Sequence, residues 1–119
     1  MNGNHNDLHP GESVLKQGRA NLQRGLETVG GRLTLTTQRL LFEAHALNVQ
    51  RGGTEVQLEQ ITGQRGGWTK FLGVLPLVPN SLVITLADGQ ELSFVVTGRG
   101  AWMAAIEQAR GGDGVLAGR

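Results

Sequence analysis

The sequence has no cysteine, almost no net charge and no long hydrophobic run. The absence of cysteine excludes a disulfide framework, a thiolate zinc site and a cysteine nucleophile, and it fits a cytosolic protein. A formal net charge of +1 creates no overall field that would attract DNA or RNA, so we expect no nucleic-acid partner.

The longest apolar run, residues 71–79, is too short to cross a bilayer and contains Pro76 and Pro79. A membrane-spanning helix needs about 20 apolar residues. The polar start of the chain lacks the apolar segment of a signal peptide. We therefore expect a cytoplasmic protein that is at most peripheral at a membrane.

Glycine is abundant, with 19 residues, and many of them stand in pairs between apolar segments. Glycine pairs between short apolar segments are typical of a chain with many short strands. A chain of 119 residues is the size of one domain and can bury roughly two thirds of its unfolded surface. We expect a flexible arm over residues 1–11, one domain over 12–110 and a flexible tail over 111–119.

Alternation of apolar and polar residues predicts seven strands. In the second strand Leu33 and Leu35 share one face, and in the sixth Leu82 and Ile84 do so. An Asp88–Gly89 turn between the last two strands is a strong hairpin signal. The predicted strands cover residues 18–24, 31–37, 39–45, 54–61, 62–68, 81–87 and 91–97.

One helix is predicted over residues 100–110, where Trp102, Ile106 and Ala109 form a single apolar stripe before Gly111–Gly112 ends it. Seven antiparallel strands and one C-terminal helix indicate a mainly β fold. The arrangement we expect is a bent sheet or open barrel with the helix closing one end, where Trp102 fills the mouth.

The order of these segments resembles the GRAM domain, a pleckstrin-homology-like module, over residues 12–110. The segments 55–61 and 82–109 match its acidic-apolar strand, its closing strand-turn-strand and its tryptophan-bearing helix. At the turn Thr37 stands where the family often has asparagine. The family pattern has a glycine, alternating leucines, a threonine turn, an arginine and an apolar pair with phenylalanine. In this chain the matching residues are Gly31, Leu33, Leu35, Thr36, Arg39, Leu40, Leu41 and Phe42.

The resemblance implies a non-catalytic module that binds lipid or protein at membranes. Two hypotheses follow: a peripheral module that binds phosphoinositide or another anionic lipid, or a protein-interaction module without lipid binding. In the second case the chain could form a homo-oligomer through strand edges or an apolar loop.

Few residues in the sequence are candidates for catalysis or metal binding. We expect no enzyme, no cofactor and no metal site. His5 and His9 have metal-ligand spacing only if a helix holds them, and Pro10 follows directly. His45 is interpreted as a surface residue. No carboxylate pair, nucleophile elbow or phosphate loop is recognisable.

The first predicted hairpin carries four basic residues, Lys16, Arg19, Arg24 and Arg32, with Glu27 among them. Strand alternation could scatter these side chains over both faces. The hairpin has no dense basic pair that would hold a phosphorylated head group, so we interpret its basic residues as ordinary solvated charges.

The segment between the fifth and sixth strands is unusually apolar for a connection, and its prolines keep it from joining a sheet interior. It could fold over the core, or it could be exposed and contact a membrane or a second subunit. In the second case the predicted contact residues are Arg65, Trp68, Lys70, Phe71 and Leu72.

Overall fold

A computed structural model describes residues 8–24, 27–45, 53–69 and 78–118 of the chain. Seven antiparallel strands form one open sheet in the order β4-β3-β2-β1-β7-β6-β5. The strands are β1 (Val14–Arg24), β2 (Glu27–Thr36), β3 (Arg39–Ala44), β4 (Gly53–Gln57), β5 (Ile61–Thr69), β6 (Val78–Leu86) and β7 (Glu91–Val96). A turn of 3-10 helix, Leu58–Gln60, joins β4 to β5, and α1 spans Arg99–Gly118.

The predicted core faces are confirmed, because alternation places the apolar side chains of the strands on one side of the sheet. Phe42 and Phe94 meet in this core with ring centroids 5.7 Å apart. The core also contains Trp102 and Ile106 of α1 and the following strand residues: Ala20, Leu22, Leu33, Leu35, Leu40, Val56, Leu82, Ile84 and Val96.

The first strand begins four residues earlier than predicted. A β-bulge lies between Val14 and Lys16, where Val14 pairs with Thr36 and Lys16 with Leu35. The bulge removes the two-residue period on which the sequence prediction depends, so this part of β1 has no visible alternation.

The Asp88–Gly89 hairpin turn is confirmed. Gly89 has φ of +92°, a left-handed conformation that glycine adopts without strain. The Asp88 carboxylate accepts a hydrogen bond of 2.9 Å from the Gln90 amide, which holds the turn.

Helix α1 packs on β6, β5 and β1 as the predicted plug. Trp102 is 3 % exposed and lies beside Gly18, where an added Cβ would be 3.6 Å from its ring. The predicted stop at Gly111 is an interruption instead, since Gly111 has non-helical φ and ψ and helix resumes as far as Gly118. Glycine costs about 1 kcal/mol in a helix interior, so it marks a weak point without necessarily ending the helix.

Candidate functional site

The five predicted contact residues lie in and after β5. Lys70, Phe71 and Leu72 lie outside the described residues, and Trp68 belongs to β5 but its side chain is not described. Arg65 is exposed on β5, and its guanidinium lies 2.9 Å from the carboxylate of Glu91 on β7. The contact role of this segment therefore stays a prediction.

A different apolar surface is visible where β1 begins. Leu8, Val14 and Leu15 are 46 %, 46 % and 48 % exposed, and they are the exposed large hydrophobic residues of the described chain. The bulge breaks the alternation at Leu15, so neither Val14 nor Leu15 enters the core. We call these three residues the apolar end.

The apolar end lies at the end of the sheet where β5 ends, at Thr69, and β6 begins, at Val78. Strands β1 and β6 are both antiparallel to β7, so they run in the same direction. The chain enters β1 from residue 13 and enters β6 from the connection, so the two strands begin at the same end of the sheet. The last described residue of β5, Thr69, thus lies at the end of the sheet where the exposed hydrophobics are found.

A buried ion pair anchors the start of the chain next to this end. The Glu12 carboxylate accepts hydrogen bonds of 2.7 and 3.0 Å from Arg39 and one of 2.6 Å from the Thr36 hydroxyl. It also accepts one of 2.6 Å from the His9 amide. Arg39 also forms an ion pair of 3.3 Å with Glu55 of β4 on its other side.

The environment of Glu12 favours its charged form. Hydrogen bonds from Arg39 lower the pKa of Glu12 most, burial opposes them, and Thr36 and the His9 amide lower it further, to about 2. Glu12, in turn, raises the pKa of Arg39. Residues 9–12, part of which we predicted to be a flexible arm, are thereby held against the turn between β2 and β3.

The basic residues of the first hairpin with described side chains lie on both faces of the sheet, as alternation predicted. Arg19 and Arg32 are direct cross-strand partners in the β1–β2 register, and both are exposed on the outer face of the sheet. Lys16 is separate from them, with its ammonium 5.1 Å from the centroid of the Trp102 ring. Alternation alone could not reveal this pairing, because it fixes the face of a residue and not its neighbour on the next strand.

A groove of about 250 Å³ runs along the outer face beside Arg19. Its lining includes Asn21, His45, Gly30 and Gly31. His45, which we interpreted as a surface residue, is exposed, and its amide donates a hydrogen bond of 2.9 Å to the Gly30 carbonyl. We call this site the outer-face groove.

Gly30 keeps the groove open, and Gly31 lets β3 approach β2 on the core face. A Cβ at Gly30 would lie 3.0 Å from Oδ1 of Asn21, and one at Gly31 would lie 2.2 Å from the Glu43 carbonyl oxygen. A side chain at either position would therefore fill the groove or push β3 away from β2. In the sequence Gly30 was visible only as one of a glycine pair between apolar segments, whereas Gly31 also matched the GRAM-like pattern.

No group of three or more metal-ligating side chains gathers among the residues that the structure describes. Within the same residues, no helix has the length and hydropathy that a bilayer span requires.

Comparisons with known proteins identify the fold. No family model and no curated protein matches the chain. Among solved structures, the N-terminal PH domain of Vps36 is 16 % identical with a TM-score of 0.58, over 85 % of this chain and 83 % of that one. The N-terminal PH domain of human ARAP2 is 11 % identical with a TM-score of 0.61, over 82 % and 79 %.

A third similar structure is the C-terminal domain of an unknown protein from Leishmania infantum. It is 11 % identical with a TM-score of 0.64, over 85 % of each chain. Likeness at such low identity concerns the backbone arrangement and not the ligand. The chain has the pleckstrin-homology-like fold, an open sheet of seven antiparallel strands with one C-terminal helix.

Proposed function

We propose that this chain is a non-catalytic binding module of the GRAM type, cytoplasmic and peripheral at membranes that carry anionic lipid. The observation that carries the proposal is the apolar end. Leu8, Val14 and Leu15 are each about half exposed, and Lys16 follows Leu15 in the chain. Concentration of the exposed hydrophobics at one end is typical of a contact surface.

The structural roles of the GRAM-like pattern support the family proposal. Gly31 stands where no side chain fits, and Leu33, Leu35, Leu40 and Phe42 form the core. Two further members of the pattern, Thr36 and Arg39, hold Glu12.

An anionic bilayer suits the apolar end for two physical reasons. Burial of an exposed Leu or Val side chain in the acyl boundary contributes up to about 1.5–3 kcal/mol. A basic residue near an anionic surface contributes about 1 kcal/mol. Lys16, next to Leu15 in the chain, would take this role by turning away from the Trp102 ring that its ammonium faces at 5.1 Å.

We add Trp68, Lys70, Phe71 and Leu72 to the proposed contact surface, since β5 ends at Thr69 at the same end of the sheet. Arg65 is left out, because it is ion-paired with Glu91 and its register position corresponds to Gln23, far along β1 from Val14.

The test is flotation with vesicles of phosphatidylcholine alone and of phosphatidylcholine mixed with phosphatidylserine. We expect wild type to float with the anionic vesicles and a Leu8→Ser, Val14→Ser, Leu15→Ser variant to lose binding by about tenfold or more. The matched control carries Ala101→Ser, Ala104→Ser and Gln108→Ser on the exposed side of α1 and should bind as wild type.

A second variant with Trp68→Ser, Phe71→Ser and Leu72→Ser tests the predicted segment in the same assay. Equal flotation of wild type and both variants would overturn the lipid proposal. Unfolding of this second variant would mean that the segment belongs to the core, and its contact role would then fail.

A protein-interaction module is the second candidate, and the open sheet favours it. Strands β4 and β5 stand at the two edges of the sheet, and an edge strand presents backbone groups that another chain can pair with. Light scattering separates the two candidates. A dimer that dissociates in the variants, with no flotation of any protein, would support the interaction module.

A further inference from the structure

A tight turn separates the first residue of the apolar end from the start of β1. Pro10 and Gly11 stand at its centre, and the Glu12 amide donates a hydrogen bond of 2.9 Å to the His9 carbonyl. Gly11 has φ of +77°. Proline at the first central position and a left-handed glycine at the second are typical of a type II turn. The turn therefore reverses the chain directly after Leu8.

The Glu12 carboxylate fixes the peptide group that carries Leu8. Its Oε1 accepts a hydrogen bond of 2.6 Å from the His9 amide, which belongs to the Leu8–His9 peptide. Because a peptide group is planar, this bond sets the direction in which the chain leaves towards the Leu8 Cα. Arg39 and Thr36 hold the same carboxylate in a fully buried position. Leu8 is thus attached to a carboxylate that the sheet holds in place.

The peptide group next to Val14 is held from the same side. The Thr37 amide donates a hydrogen bond of 2.9 Å to the Ser13 carbonyl, which belongs to the Ser13–Val14 peptide. The Thr37 hydroxyl in turn accepts one of 3.1 Å from the Ser13 amide. Both peptide groups that carry residues of the apolar end are therefore tied to the turn between β2 and β3.

The chemistry of Glu12 suits this attachment better than it suits stability alone. Apolar residues of similar volume often replace a buried ion pair without loss of stability. An apolar residue in place of Glu12 would, however, lack an acceptor for the His9 amide and for the Thr36 hydroxyl. The carboxylate joins the sheet to the segment before it, which an apolar contact would not do in one fixed direction.

We propose that Glu12 is a positioning residue for the apolar end. It is too deeply buried to touch a partner, but it keeps Leu8 in one surface with Val14 and Leu15. A contact surface that is already ordered loses less conformational entropy on binding than one on a free arm. The proposal rests on the membrane function proposed above, because it concerns how that contact surface is built.

The test uses two variants at His9 that leave Glu12 and Arg39 in place. His9→Pro removes the amide hydrogen that Glu12 accepts, and the matched control His9→Ala removes the same imidazole ring but keeps the amide. His9 is exposed and precedes β1, so neither variant removes a core contact. Circular dichroism verifies that the sheet persists in both.

Backbone amide NMR relaxation of Leu8 measures the positioning directly. We expect an order parameter near that of rigid backbone, about 0.85, in wild type and in His9→Ala, and one below about 0.6 in His9→Pro. Equal order parameters in the three proteins would overturn the proposal.

Flotation with the anionic vesicles measures the consequence for binding in a double-mutant cycle. Leu8→Ser alone should weaken binding by about tenfold, the effect of removing one leucine side chain from the contact. In the His9→Pro background the same substitution should weaken binding by less than about threefold, because Leu8 has already left the surface. Full additivity of the two substitutions would overturn the positioning role.

Failure of this proposal is distinguishable from failure of the membrane proposal. A wild type that does not float would overturn the membrane proposal, and the order parameter of Leu8 would still decide whether Glu12 positions it. A wild type that floats, with additive effects of Leu8→Ser and His9→Pro, would support the membrane proposal and overturn this one.

Discussion

At the scale of single residues, the Glu12–Arg39 pair is the most consequential interaction outside the apolar core. The Glu12 side chain is fully buried and that of Arg39 is 5 % exposed. Two charges withdrawn from water stabilise a fold only when hydrogen bonds satisfy them, and here four donors surround one carboxylate. The pair therefore couples the N-terminal segment to the β2–β3 turn.

Replacement of Glu12 by glutamine should destabilise the protein by about 3–5 kcal/mol, because Arg39 would remain buried with only part of its charge compensated. Urea unfolding at pH 7 measures the difference. Glu107→Gln is the control, since its exposed ion pair with Arg110 contributes less than about 1 kcal/mol. Similar losses in both variants would contradict the importance assigned to burial.

Acid should remove the contribution of Glu12 in a defined pH window. The folded pKa of about 2 lies below the ordinary value of 4.5, so the unfolded chain binds the proton first as the pH falls. The contribution is complete above about pH 4.5 and is lost progressively towards pH 2, with a slope of up to about 1.4 kcal/mol per pH unit. Urea melts between pH 7 and pH 2 should show this slope in wild type and a flatter curve in Glu12→Gln.

At the scale of elements, the pairing of β2 with β3 depends on a close contact at Gly31. A Cβ there would stand 2.2 Å from the Glu43 carbonyl oxygen, whereas a Cβ at Gly18 would make an ordinary contact of 3.6 Å with the Trp102 ring. The importance of Gly31 comes from the β3 backbone that faces it across the sheet.

Truncation of Trp102 to alanine should cost about 3–5 kcal/mol, the range for a large aromatic side chain removed from a core. The ring is 3 % exposed, and Trp102 and Ile106 are the buried core residues that α1 contributes. Urea melts measure the loss, and circular dichroism checks that the sheet persists. A loss below about 1 kcal/mol would show that the helix is peripheral to stability.

Gly31→Ala should destabilise the protein by about 1–3 kcal/mol or more, because the new Cβ would stand 2.2 Å from the backbone oxygen of Glu43 and 2.8 Å from the Phe42 ring. Gly63→Ala is the matched control. It also lies in a strand, but no atom lies within 4 Å of its added Cβ, so its effect should be neutral or slightly stabilising. Thermal melts of the two variants compare them directly.

At the scale of the whole molecule, two surfaces of different chemistry are carried by one sheet. The apolar end lies at the start of β1, and the outer-face groove lies further along the same hairpin. The flotation experiment tests the apolar end.

Local patterns in the chain were enough to predict the mainly β class, the core faces of the strands, the Asp88–Gly89 hairpin and the apolar stripe of α1. All of these depend on interactions between residues close in the chain or on a repeating period, which a single sequence displays. The bulge at Leu15 and the continuation of α1 beyond Gly111 were missed because each breaks the local period.

Which distant residues meet depends on the tertiary structure. Glu12 and Arg39 are 27 positions apart, and Arg19 faces Arg32 because of the β1–β2 register. Alternation assigns each side chain to a face, but a shift of two residues in register would keep every face and change every neighbour. The buried ion pair, the arginine pair and the groove beside it depend on that register, so the candidate sites could not be derived from the pattern that predicted the fold.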